Sequence, residues 1–169
     1  VQTCALPISR ACEARGWRCI RPSLAPRWMP VLYMNRRRLR GIARALASPV
    51  QGSPVVVAGH SAGGAAGTYL AACLRGAGAD VRGLVLIDGV DSPNHLIERA
   101  LPTLIDLRIT AVLAPPSPCN RHSLLEQWLA EYPTVRVEVV PGAGHGDIEG
   151  AGIAVYRRMC KDTSDAQTA

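Results

Sequence analysis

The sequence predicts an α/β fold, a doubly wound and mostly parallel sheet flanked by helices, on three observations. Short apolar runs alternate with segments of helical periodicity along most of the 169 residues. The runs are apolar at nearly every position, as expected of strands buried on both faces. Hydrophobic residues make up 48% of the chain and charged ones 19%, the composition of a packed core rather than of a disordered tail. The length suits one domain.

Residues 9–15 are polar and helix-compatible, Gly16 can stop that helix, and residues 17–20 follow as a short strand. Pro22, Pro26 and Pro30 make residues 21–35 a loop. Leu39, Ile42, Ala43 and Leu46 recur at helical spacing and predict a helix over 36–47 that ends before Pro49. A strand over 54–58, a small-residue helix over 62–75, strands over 83–87 and 109–114, a helix over 123–131, a strand over 135–140 and a last helix over 148–160 complete the domain. Residues 161–169 form a polar tail. Residues 1–8 back-translate to a string resembling the end of a common sequencing adapter and are set aside as a leader. The natural domain, 9–160 in this numbering, is then expected to begin near Ser9 with its first sheet strands upstream. A chain lacking them should be poorly stable, because a neighbouring strand loses its pairing.

The net charge of +6 rests on 19 basic residues, among which Lys161 is the only lysine, and Phe is absent. That bias points to GC-rich, bacterial coding, so the charge does not by itself indicate a polyanion partner. Arg36, Arg37, Arg38, Arg40 and Arg44 have only Tyr33 as a nearby aromatic residue, and a helix fans them over several faces. They read as a solvated surface, not a nucleic-acid patch. The apolar runs 55–58 and 84–87 fall far short of the roughly 18 residues that span a bilayer. Six cysteines form no CxxC pair and no zinc-ligand spacing with histidine. Reduced thiols, no metal and a cytoplasmic location are expected.

Two motifs carry chemistry. Gly59-His60-Ser61-Ala62-Gly63 joins an apolar strand directly to a helix, so Ser61 should sit on a sharp turn with its Oγ exposed. Gly59, Gly63 and Gly64 are expected to supply the clearance such a turn needs. Pro141-Gly142-Ala143-Gly144-His145 closes the loop after the last strand and makes His145 a candidate general base. His60, His95 and His122 have no such context.

On these motifs the sequence resembles the α/β-hydrolase superfamily over residues 11–160. The resemblance implies a Ser61 nucleophile, a His145 base, an orienting acid between them in the chain, and no metal or organic cofactor. It also implies two oxyanion donors, the Ala62 N–H and a second from a loop upstream of Ser9. The usual acid position falls in residues 114–120, where Ser117 stands and no carboxylate occurs. Some members place the acid at the end of the strand after the elbow helix, which selects Asp88, with Asp91 as the alternative. Asp147 and Glu126 read as helix caps or helix-surface charges. Only 20 residues separate Asp88 from Ile109, too few for a cap domain. An open pocket, or one lidded by a short helix over 94–101, is expected, with residues 21–35 at its border and Trp28 and Met29 read as ordinary packing rather than as its lining.

The expected activity is hydrolysis of a small ester, thioester or similar acyl substrate through an acyl-Ser61 intermediate. Serine at the elbow, where dehalogenases and epoxide hydrolases carry aspartate, argues against their chemistry. The alternatives are a noncatalytic member of the fold, an inactive fragment that binds a ligand, or a regulatory protein using the arginine face of residues 36–44.

Overall fold

The computed structural model describes residues 5–24, 34–147 and 160. Four strands, β1 (Val55–His60), β2 (Val81–Ile87), β3 (Arg108–Leu113) and β4 (Arg136–Val139), form one sheet in the order β1-β2-β3-β4. All three pairings are parallel, and helices lie on both sides, an α/β fold. The described helices are α1 (Ala5–Glu13), α2 (Arg36–Ala47), α3 (Ala62–Gly76), α4 (Leu96–Ala100) and α5 (Leu124–Leu129), with a 3₁₀ turn at Leu101–Thr103.

Helix α2 has the predicted bounds. The Asn35 side chain caps it by accepting from the Arg38 N–H at 3.1 Å, and Leu39 and Ala43 are its buried residues. Its first turn holds no acid but three arginines, against the preference of a helix start for negative charge. Helix α3 is built of small residues because it packs on β1, β2, α2 and α4 at once. Ala65, Ala66 and Ala71 are fully buried there, against a core that includes Leu39, Leu84, Leu86 and Ile109. At its far end Arg75 makes a bidentate pair with Asp106 at 2.5 Å. That hydrogen-bonded guanidinium holds the Asp106 carboxyl below its ordinary value.

Several expectations need correction. Residues 17–20 are not a strand; among the described residues β1 pairs only with β2, so no strand is paired to its outer edge. Trp17 and Ile20 are accordingly exposed, as is Val56 on β1. Helix α1 starts at Ala5, inside the segment set aside as a leader. The short helix expected over 94–101 is α4, Leu96–Ala100, and it buries Leu96, Ile97 and Ala100. The expectation that the thiols are all reduced fails at Cys119 and Cys160, which form a disulfide across 41 residues. Cys12, Cys19 and Cys73 are free, and burial, the largest influence on Cys73, raises its pKa above the ordinary value. Trp28, Met29, the expected 148–160 helix apart from Cys160, and the tail lie outside the described residues. Among the described residues no helix is long and apolar enough to cross a membrane.

Leu84 lies at the centre of β2 with no exposed surface, between Val57 and Ile109 in register. Leu84→Ala should lower stability by about 2–5 kcal/mol, read from the urea midpoint. Val137→Thr on the exposed strand β4 should stay within about 0.5 kcal/mol of the parent.

Candidate active site

Parallel strands present their carboxyl ends on one edge of a sheet, where α/β proteins collect their ligand-binding side chains. Ser61 immediately follows β1, with φ 53° and ψ −130°. A non-glycine residue held at positive φ costs about 1–3 kcal/mol, so the surroundings must impose it. Three backbone bonds do so: the Ser61 N–H donates to Ile87 O at 3.0 Å, and the Ser61 carbonyl accepts from Gly64 at 2.8 Å and Val90 at 2.9 Å.

The turn also needs room. A Cβ on Gly59 would lie 2.2 Å from the Gly63 carbonyl oxygen, and one on Gly64 would lie 2.9 Å from Gly89 Cα. Gly63 differs from the expectation, because a Cβ there meets nothing within 4 Å. The steric demand therefore falls on Gly59 and Gly64.

Asp88 immediately follows β2, again at positive φ (42°), and is 5% exposed. Its N–H donates to Val112 O at 2.7 Å. Its Oδ1 accepts from the Ala114 N–H at 3.1 Å and from the Asn120 amide at 3.2 Å. Its Oδ2 accepts from His145 Nδ1 at 2.6 Å. On the far side of the same imidazole, Nε2 lies 2.8 Å from Ser61 Oγ. His145 is 3% exposed, so this line of three side chains is largely shielded from water.

The loop that carries His145 is fixed at two points. The Gly144 N–H donates to Asp147 Oδ2 at 2.6 Å, so Asp147 closes this loop. His60 Nε2 lies 2.9 Å from the His145 carbonyl oxygen; a carbonyl only accepts, so His60 carries its proton on Nε2. Asn120, 3% exposed, ties down the other side. Its Oδ1 accepts from Ser117 and Ser123 N–H at 2.8 and 3.2 Å, and its amide also donates to Pro115 O at 2.9 Å. The sequence motifs assign no role to His60 and do not single out Asn120. No spacing marks Asn120, whereas adjacency to Ser61 marks His60.

The structure does not bring Asp91 to His145. Its carboxylate accepts from the Ser92, Ile97 and Glu98 N–H groups, which makes it the cap of α4. His95 pairs with Glu98 at 2.6 Å. Ala62 opens α3, so its N–H belongs to the first turn, which has no intrahelical acceptor. Comparison with protein-family models and with curated proteins finds no match to this chain.

The glycine geometry is testable. Gly59→Ala should destabilise the fold by at least about 1–3 kcal/mol, as overpacking does. Gly63→Ala, in a helix with open space, should be neutral or stabilising by up to about 1 kcal/mol. Urea melts of the two variants check the contrast.

Proposed function

We propose that the chain is a serine hydrolase of the α/β-hydrolase type, acting on an ester, thioester or similar acyl substrate. The observation that carries this reading is the continuous contact from Ser61 Oγ to His145 Nε2 and from His145 Nδ1 to Asp88. Asp88 accepts the Nδ1 proton, which leaves Nε2 as the lone-pair acceptor facing Ser61.

The chemistry follows from that tautomer. As Ser61 Oγ attacks the substrate carbonyl, its proton passes to His145 Nε2, and Asp88 stabilises the imidazolium that forms. The carbonyl oxygen becomes an oxyanion, for which the Ala62 N–H is the donor assigned here. His145 then returns the proton to the departing alkoxide or thiolate, leaving acyl-Ser61. Water, deprotonated by the same imidazole, attacks the acyl carbon, and Ser61 recovers its proton as the acid leaves. His60, by holding the His145 carbonyl, is a positioning residue. The Cys119–Cys160 bridge favours an oxidising compartment over the cytoplasm expected from reduced thiols.

Ser61 should be labelled by a fluorophosphonate probe, and Ser61→Ala should remove the label. A folded protein that takes no label would return the chain to the noncatalytic, ligand-binding reading. Asp88→Asn should cut kcat toward p-nitrophenyl acetate by up to about 10⁴-fold with little change in KM, the expected result of the wrong imidazole tautomer. Asp91→Asn, which touches only the α4 cap, should lower thermal stability and keep kcat within about threefold, since caps contribute about 1 kcal/mol.

Removing the Asn120 side chain strips a donor from Asp88 and orphans two buried N–H groups. Asn120→Ala should cost about 2–6 kcal/mol, at about 1–3 for each unsatisfied group. It should also lower kcat toward p-nitrophenyl acetate, because Asp88 loses a donor that fixes its orientation toward His145. An unchanged kcat in a folded Asn120→Ala protein would confine Asn120 to a structural role.

A further inference from the structure

A second concavity, apart from Ser61, opens between the start of α2 and the segment entering α4, with a volume of about 420 Å³. Asn35, Arg36 and Arg37 line it from one side, and Asn94, His95 and Arg99 from the other. Each of these side chains carries a hydrogen-bond donor; among the described residues Pro93 is the one lining residue that does not, and no carboxylate lines the groove. The nearby acids already have partners, Glu98 in the lining residue His95 and the buried Asp91 in three backbone N–H groups.

The three guanidiniums differ in their present partners. Arg36 is held in place, its Nε 3.4 Å from the Tyr69 hydroxyl and its Cζ 5.5 Å from the centre of the Tyr69 ring. Arg37 and Arg99 are exposed, and among the described residues neither makes an ion pair or a side-chain hydrogen bond. Like charges gathered around one hollow repel each other, and the first turn of α2 is an unfavourable place for a cation. Arg37 is not explained by the stability of the fold, whereas Arg99 lies in the last turn of α4, where a helix end favours a cation.

We propose that this groove binds a phosphate-bearing small molecule of the monophosphate or diphosphate class. Guanidinium forks match phosphate oxygens in geometry, and a phosphate offers three acceptor oxygens and close to two negative charges. A lone carboxylate offers two oxygens and one charge, too little for three arginines and two amides. A cation is disfavoured, because the Asp91, His95 and Glu98 side chains that approach within 4.8 Å of one another are already bonded and lie beside Arg99. The proposal is independent of the chemistry at Ser61.

Isothermal titration of the purified chain with pyrophosphate, inorganic phosphate and citrate at low ionic strength tests it. Pyrophosphate should bind saturably at one site, more tightly than citrate. Arg37→Gln combined with Arg99→Gln should weaken it at least about tenfold, the loss expected for charge-assisted bonds. The corresponding Lys pair should fall between the two, having charge without the fork. Both sites are exposed, and coincident thermal melts would show that the fold is kept. Ser61→Ala should bind pyrophosphate as the parent does. Absence of saturable binding, unchanged affinity in the Gln pair, citrate binding as tight as pyrophosphate, or loss of binding in Ser61→Ala would each overturn the proposal.

Discussion

The carboxylate of Asp88 is the interaction on which the carboxyl edge of the sheet is organised. Removing a carboxylate from water is costly unless its oxygens are hydrogen-bonded. Here the donors come from two separate stretches of chain besides the loop of Asp88 itself: the loop after β3, through the Ala114 N–H and the Asn120 side chain, and the imidazole of His145. None of these contacts is local in sequence, the last spanning 57 residues. The buried acid therefore rewards one mutual arrangement of three loops and penalises the others, giving the edge a defined geometry despite its short strands.

Strain is placed where this arrangement can hold it. Ser61 and Asp88, the first residues beyond two adjacent paired strands, both adopt positive φ. They brace each other through the sheet, since the Ser61 N–H bonds to Ile87, the residue before Asp88, and the Ser61 carbonyl receives the N–H of Val90, two residues after it. The small residues of α3 belong to the same design. Gly64 and Gly89 approach so closely that a Cβ between them has no room, which lets the loop after β2 lie against the elbow.

Elements that obey a local rule were legible in the sequence. Helix α2 was readable because four apolar residues recur at its period and Pro49 stops it, and β1 and β2 because their apolar runs abut glycine-rich turns. Ser61, His145 and Asp88 were legible as candidates because each directly follows or closes a recognisable strand or loop. What escaped depends on contacts made only in the folded chain. Residues 17–20 have the composition of a strand, yet a strand exists only beside a partner. Cys119 and Cys160 share no motif and meet because the fold brings them together. Asn120 belongs to no pattern of its own; it immediately precedes a left-handed stretch in which Arg121, His122 and Ser123 all adopt positive φ, and its amide reaches Asp88 only in the folded chain.

The position of Asp88 at the end of β2 explains what Asn120 does, because the loop after β3 holds Ser117 and no carboxylate between residues 114 and 120. Ser117 and Asn120 bond each other, Ser117 N–H to Asn120 Oδ1 and Asn120 N–H to Ser117 Oγ, and the folded loop turns the Asn120 amide onto Asp88. That loop supplies donors to a negative charge held on the neighbouring strand end. With Asp88 at the end of β2, the strand next to the one that leads into Ser61, His145 must be drawn back from β4 across the strand ends. Neighbouring strands lie about 4.8 Å apart, so β4 is about 14 Å from β1, a distance the loop after Val139 has to recover. The His60 bond to the His145 carbonyl, made from the last residue of β1 itself, holds the loop at the end of that crossing.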